Sequence, residues 1–385
     1  MKKYKGNFYP DQYQTDSLME INHNYLNQQF EDFEPILNEV SKVIKAGDFT
    51  LGSAVDNFEC DFAKVAGTTN AIGLGSGTDA LFLSLKALGV KDGDEVITTP
   101  FTFFATVGAI VTAGAKPIFV DCGDDLNINP DLIEEKITSK TKAILPVHWS
   151  GRPCEMDTIN TIASKYSIPV IEDACHAIKA SYKGKPAGGL GDIGCFSFHP
   201  LKNLNVWGDG GIATTNSEQI AETLRLIRNH GLIDRNTCAQ FSYNSRLDTV
   251  QAVVAQYLLD KKINHITESR INNAFFLDSG LLDIPELDIP SRLEHITEVF
   301  HLYMFRAKDR DLLKVFLNSN GIDAKIHYPT PMHLQPASRD FGYKKGDFPV
   351  CENSSQTVIS LPVHEFINKN HLEFMIEKIR EFYLK

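Results

Sequence analysis

Lys202 sits between Leu201 and Leu204, with Val206 and Trp207 close behind, in the stretch CFSFHPLKNLNVWGDGGI that runs from Cys195 to Ile212. Such a lysine is either a surface residue on a loop or one held partly dry. In the second case desolvation disfavours the ammonium form, and the neutral amine is a nucleophile that forms a Schiff base with a carbonyl. Asp173 closes a run that is otherwise apolar, Ile168 to Ile171. A carboxylate there caps a helix, pairs with a lysine, or keeps a cofactor's ring nitrogen protonated so that the ring becomes an electron sink. Gly75-Ser-Gly77-Thr-Asp-Ala80 lies between a β-prone run and a helical one. It is a plain glycine turn, or a place where free amides and the helix dipole favour a phosphate. The acidic residues about twenty positions on, Asp94 and Glu95, precede the second strand instead of ending it, which removes a nicotinamide dinucleotide. Gly189-Leu-Gly191-Asp-Ile-Gly194 has a similar spacing but runs into a β-prone segment, the wrong context for a dinucleotide site. His148 and His176 also suit a core position, as does Phe103, and Asn244-Ser-Arg246 is an ordinary helix cap signal. No His/Cys/Asp spacing suggests a metal.

These residues need a scaffold. Helical spacing is expected over Phe33–Ala46, Val55–Val65, Ala80–Leu88, Phe104–Ala113, Pro130–Ile137 and Met156–Tyr166. Strands are expected from Asn70, at Glu95–Thr99, Lys116–Asp121, Thr141–His148 and Ile168–Asp173. Such alternation means a mostly parallel sheet covered on both faces, with ligands at the carboxyl ends of its strands. Gly75, Asp121, His148, Asp173 and Ser197 all fall at such ends and could converge on one pocket. Further helices are expected at Ser217–Asn229, Asp248–Lys262, Leu312–Ser319 and Asn370–Tyr383, with strands in Ser291–Ala307 and at Ala324–Tyr328. The expected organisation is an arm over 1–30, a large domain over 31–259 and a smaller α+β domain over 260–385.

The 385 residues exceed one small core, and 43% hydrophobic with 23% charged residues is ordinary for a globular chain. A formal charge of -11 argues against non-specific nucleic-acid binding and against an anionic membrane surface. The first residues lack a signal-peptide core, no run reaches membrane-spanning length, and seven scattered cysteines read as reduced thiols. The expectation is a cytoplasmic protein without structural zinc.

The chain resembles the DegT/DnrJ/EryC1/StrS family of sugar aminotransferases, from about Tyr25 to its end. The resemblance rests on ordered motifs. They include Gly75-Ser-Gly-Thr-Asp79, Thr99-Pro-Phe-Thr-Phe-Phe-Ala-Thr106, Pro146-Val-His148, Glu172-Asp-Ala174, Ser197-Phe-His-Pro-Leu-Lys-Asn203, Gly208-Asp-Gly-Gly211 and Tyr243-Asn-Ser-Arg-Leu-Asp248. It implies the fold type I of pyridoxal-phosphate enzymes: a three-layer α/β/α mixed sheet, mostly parallel, with a smaller C-terminal α+β domain. It implies pyridoxal 5'-phosphate bound to Lys202 as an internal aldimine, Asp173 on the ring nitrogen and Phe103 stacked on the ring. Gly77, Thr78 and Ser197 would hold the phosphate. Asn244 would reach the phosphate of the neighbouring subunit's cofactor, hence a homodimer with shared active sites. His176 stands where the family usually has Gln against the ring hydroxyl. Leu201, Asn205 and Trp207 also depart from the common pattern, so substrate contacts there do not carry over.

The reaction implied is transfer of an amino group from L-glutamate to a keto group of a nucleotide-linked deoxy sugar, in amino-sugar and surface-polysaccharide (O-antigen) biosynthesis. Lys325-Ile-His-Tyr-Pro-Thr-Pro-Met-His-Leu-Gln-Pro336 resembles a segment of members that act on 3-keto sugars, which puts His327 and Tyr328 near the sugar. Amination of a 4-keto sugar is the alternative within the family. Dehydrating members carry histidine in place of the lysine, and Lys202 argues against that branch. A sensor protein that only binds the cofactor is the alternative of a different class.

Overall fold

The structure, a computed structural model, describes residues 19–384; residues 1–18 of the expected arm lie outside the described residues. Seven strands form the main sheet: β1 (Asn70–Leu74), β2 (Glu95–Thr98), β3 (Lys116–Phe119), β4 (Thr141–Ile144), β5 (Ile171–Asp173), β6 (Ile193–Ser197) and β7 (Gly211–Thr215). Their order is β3-β2-β4-β5-β6-β7-β1. Parallel bridges at Ile144–Val170 and Val147–Asp173 join the two halves. Only β7 runs against its neighbours. Side chains alternate across this sheet as a pleat requires. Ile72, Ile193, Cys195 and Ala213 face one apolar cluster, while Ala71, Phe196 and Ile212 face another. The helices Gly77–Ala87, Phe104–Thr112 and Glu218–Ile227 cover the first face. Glu34–Ala46, Ser53–Ala66 and Thr249–Lys261 cover the second, which completes the expected α/β/α layers.

The C-terminal part is α+β. Three antiparallel strands, β8 (Leu287–Asp288), β9 (Tyr303–Ala307) and β10 (Val358–Leu361), take the order β8-β9-β10. Helices Ile263–Leu281, Arg310–Ser319 and Lys369–Tyr383 pack there around Leu277, Phe305, Leu313 and Met375. Ile21 joins the same cluster and pairs with Ile322, so the residues just before Tyr25 are docked on this part of the molecule.

Several expected elements differ. Pro130–Ile137 is not one helix but two 3-10 turns, Pro130–Leu132 and Glu134–Lys136. Ala324–Tyr328 is not a strand: it pairs only at Lys325 with Ser360, and the prolines that follow offer no ladder donors. The helix Ile263–Leu281 escaped the periodicity because its buried stripe includes Thr267, Arg270 and Asp278 among the apolar positions. Helix Pro349–Thr357 and β10 were missed for a related reason, since the helix buries Glu352, Ser354 and Ser355.

Candidate active site

A cleft of about 820 Å³ opens at the carboxyl ends of the parallel strands, between the main sheet and the C-terminal part. Of the five strand-end residues expected to converge, Asp173 and Ser197 line it and three do not. His148 is fully buried, with its Nε2 2.9 Å from Glu172 and its Nδ1 accepting from the Cys154 amide. Gly75 donates its amide to the Ser245 hydroxyl. The Asp121 carboxylate accepts the amides of Val350 and Cys351 at the start of helix Pro349–Thr357. Asp121, Cys122 and Cys351 do bring three potential metal ligands within 4.8 Å of one another. The Asp121 oxygens there are already engaged by three amides, the third being that of Cys122.

Lys202 reaches the cleft from a short loop after β6. Its amide donates to the His199 carbonyl, while Phe198 donates its amide to the Gly210 carbonyl and accepts the Val206 amide at its own carbonyl. Asn205 closes the loop from within: its side-chain amide donates to the carbonyls of Pro200 and Lys202 and to Gln29. Asn203 ties it to the C-terminal part by donating to the Val299 carbonyl at 3.2 Å. Leu201 lines the cleft; Trp207 instead packs edge-on against Phe30 in the apolar layer.

Around Lys202 the structure gathers most of the other expected residues. Asp173 is buried; its Oδ2 accepts from the Thr106 hydroxyl at 2.7 Å and its Oδ1 from the Cys175 amide at 3.2 Å. Thr106 is in turn 2.7 Å from the Thr102 hydroxyl. Gly77 and Thr78 begin a helix capped by Ser76, whose side chain accepts from the Asp79 amide. Helix geometry leaves the amides of Gly77 and Thr78 without an intrahelical acceptor. Gly77 lies against Ser197 so closely that an added Cβ would be 2.5 Å from the Ser197 Cβ. Phe103 is 45% exposed, a cleft residue and not a core one, 5.8 Å from the Tyr328 ring. The His176 ring packs tilted against His301 at 4.1 Å and lies 5.1 Å from Trp149; its Nδ1 is buried with no hydrogen-bond partner among the described residues. Asn244 is exposed, pairs with Asn229 and does not line the cleft of its own chain.

The remaining wall comes from the residues after Met19 and from the run 323–328. His327 and Tyr328 line it, with the His327 Nδ1 2.8 Å from the Ser360 hydroxyl. Sequence reading missed His23, Tyr25, Arg270, His301, Asp323 and Lys325, which also line the cleft. Arg270 donates to the Tyr25 hydroxyl and to the carbonyls of Phe300 and His301, which fixes this wall. His301 falls just before β9 in a run read only as strand, and Lys325 opens the run 325–336 that pointed only to His327 and Tyr328; the other four had no local signal, because distant segments bring them together.

Half of the chain's 12 histidines line this one cleft: His23, His176, His199, His301, His327 and His364. All six titrate below the ordinary imidazole range, His327 at about 4 and His364 at about 3. Burial is the largest cause in each, and the Lys202 charge adds to it at His176, His199, His301 and His327. Burial also lowers the Lys202 ammonium, against the opposing pull of Cys175 and Asp173. Lys202 keeps some surface open to the cleft, so its desolvation is partial. Of the two readings open from the sequence, the surroundings in space match the lysine held partly dry, and they shift it in the direction of the neutral amine.

The residues fit pyridoxal 5'-phosphate. A buried carboxylate with lone pairs to spare suits a ring N–H, the paired amides beside Ser197 suit a phosphate, and the orphan His176 Nδ1 suits a ring oxygen.

Comparison with known proteins agrees with this geometry. The model of the DegT/DnrJ/EryC1/StrS aminotransferase family matches residues 31–380. A "Pleiotropic regulatory protein" of Geobacillus stearothermophilus is 41% identical, over 93% of this chain and 97% of its own. The dTDP-3-amino-3,4,6-trideoxy-alpha-D-glucose transaminase of Streptomyces venezuelae is 35% identical, over 89% of this chain and 90% of its own. The crystal structure of S. venezuelae DesV in complex with a ketimine intermediate superposes with a TM-score of 0.92 at 34% identity, covering 95% of this chain and 99% of that one. The expected helix–sheet layers, the cleft and these matches agree: the chain belongs to the DegT/DnrJ/EryC1/StrS aminotransferase family.

Proposed function

We propose that this aminotransferase moves an amino group from L-glutamate to the C3 keto group of a nucleotide-linked deoxy sugar, using pyridoxal 5'-phosphate held by Lys202. The observation that carries the reading is that Lys202 and Asp173 face one cleft beside the Gly77–Ser197 cradle. The 3-amino sugar in the name of the Streptomyces relative supports C3, as does the run from Lys325 to Pro336. The exposure of Asn244 outside its own cleft supports a homodimer in which each copy completes the other's site. Among the described residues no helix is long and apolar enough to cross a membrane.

The cofactor, when bound, supplies an electron sink for the bond that breaks at the amino acid's α-carbon. Asp173, turned by Thr106 and Cys175, would keep a proton on the ring nitrogen. The backbone amides of Gly77 and Thr78 and the Ser197 hydroxyl would hold the phosphate, and Phe103 would pack against the ring. Lys202 Nζ, whose proton burial loosens, would take the α-proton of glutamate as general base and hand it on as general acid. His327 and Tyr328 orient the sugar.

An absorption spectrum tests the first half. The reconstituted protein is expected to show a band at about 410–430 nm that is lost on borohydride reduction and absent in Lys202→Ala. A colourless protein that takes up no pyridoxal phosphate overturns the reading and leaves the regulatory role named for the Geobacillus relative. Incubation with L-glutamate and a panel of UDP- and dTDP-linked 3- and 4-keto sugars tests the second half. Turnover of the 4-keto sugars alone sinks C3 and keeps the aminotransferase.

A further inference from the structure

The cleft wall made by the residues after Met19 and the run 323–328 carries an ion pair that the mechanism does not use. Lys325 Nζ lies 3.2 Å from Asp323 Oδ2, with the lysine side chain 34% exposed and the aspartate 14%. Ion pairs on open surfaces contribute little and say little. This one differs in three ways. Both residues line the active-site cleft. Its carboxylate is fixed from behind, since Oδ2 also accepts the His23 amide at 3.0 Å and the Asp323 amide donates to the Ile21 carbonyl. Its lysine is fixed at the backbone, since Lys325 and Ser360 exchange both amide–carbonyl bonds, and the Ser360 hydroxyl also contacts His327.

Two features of the pair point to what it reads. Among the described residues no hydrogen bond engages Asp323 Oδ1, and Asp323 is the one side-chain partner of the Lys325 ammonium. The wall therefore presents an acceptor and a charged donor side by side. Lys325, the donor of the pair, stands at most about 7 Å along the chain from His327, which is close to the length of a hexose. The neighbouring imidazoles of His23 and His327 carry no charge at neutral pH, and Lys325 helps to keep them so. A hydroxyl group satisfies both members of the pair at once. A carboxylate satisfies Lys325 but is brought against Asp323, a like charge that cannot move away.

Resting on the nucleotide-sugar reading above, we propose that Asp323 and Lys325 form a specificity subsite for the end of the sugar remote from the aminated carbon. The subsite accepts a neutral, hydroxyl-bearing sugar and rejects a carboxylate-bearing one. Its discrimination comes from the repulsive partner, Asp323, as much as from the attractive one.

The test is calorimetric binding to the full chain loaded with pyridoxal phosphate, using UDP- and dTDP-linked glucose and glucuronate, which differ only in the hydroxymethyl or carboxylate at C6. Wild type is expected to favour the glucose form by about tenfold, the scale of one charge-assisted contact. Asp323→Asn keeps an acceptor for the His23 amide and leaves Lys325 uncompensated. It is expected to shift the glucose-to-glucuronate ratio by about tenfold toward glucuronate. Lys325→Met is expected to weaken the glucose form without improving the glucuronate form. A ratio that stays within about twofold of wild type in both variants overturns the subsite while leaving the function reading intact. Wild type that binds none of the four probes removes the nucleotide-sugar reading and the subsite with it.

Discussion

Asp173 can serve a pyridinium only if its oxygens are turned toward the ring, and Thr106 is the residue that turns one of them. Thr106 is fully buried and its hydroxyl links Asp173 to Thr102, so replacing it with valine keeps the volume, removes the donor to Asp173 and takes this partner from the Thr102 hydroxyl. Thr106→Val is expected to weaken pyridoxal phosphate binding by about tenfold, the worth of one hydrogen bond to a charged group. A titration followed by visible absorbance measures this directly. Lys202 and Asp173 stood out in the sequence only through the ordered motifs around them, since a lysine among apolar neighbours or a carboxylate at a strand end has plainer readings when taken alone. Thr106 did not, although it stands inside a run read as significant. Its partner lies 67 residues away, and only the parallel pairing of the strands brings the two together. His301 escaped for the same reason: nothing near it in the chain shows that it packs against His176.

The elements that position these side chains were read well where local pattern and burial agree. The strand–helix alternation up to Asp173 gave the sheet and the side on which the cleft opens. It failed where polar residues are buried, as in helix Ile263–Leu281, whose Arg270 and Asp278 hide an apolar stripe. Two glycine patterns that look alike in sequence separate clearly in space. The segment Gly189–Gly194 is wrapped around Glu172, which accepts the amides of Gly188, Leu190 and Gly191, so its amides hold a carboxylate of the protein. The segment around Gly77 turns its amides to the cleft. Gly77→Ala would set a methyl group 2.5 Å from the Ser197 Cβ and 3.1 Å from the Cys175 sulfur, so the helix start must retreat from β6. Loss of high-affinity pyridoxal phosphate binding with the far-UV circular dichroism unchanged is the expected result. Retention of wild-type affinity would show that the cradle tolerates a side chain and that Gly77 is there for packing alone.

At the scale of the molecule, the histidines of the cleft link its chemistry to stability. Each is held neutral in the folded chain but takes up a proton near its ordinary value of 6.5 once unfolded. The unfolded chain therefore binds more protons below that pH, and stability must rise with pH over this range. It is expected to be full above about pH 6.5 and to fall as the pH drops toward about 4, for His327, and about 3, for His364. Thermal melting from pH 8 to 4 checks this, and His364→Gln is expected to flatten the acid limb. Between pH 7 and 8 these six imidazoles stay uncharged, so any change of rate in that interval belongs to other groups.

One feature of the wall bears on how the protein is handled. The family match begins at residue 31, yet His23, Asn24 and Tyr25 line the cleft, and Ile21 is anchored beside Ile322. A clone trimmed to the family boundary would look complete by sequence and would lack one side of its own binding chamber. Arg270 would lose the Tyr25 hydroxyl, Asp323 the His23 amide, and His364 the ring it stacks on. Affinity handles belong at the other end of this chain, where helix Lys369–Tyr383 finishes away from the residues that line the cleft.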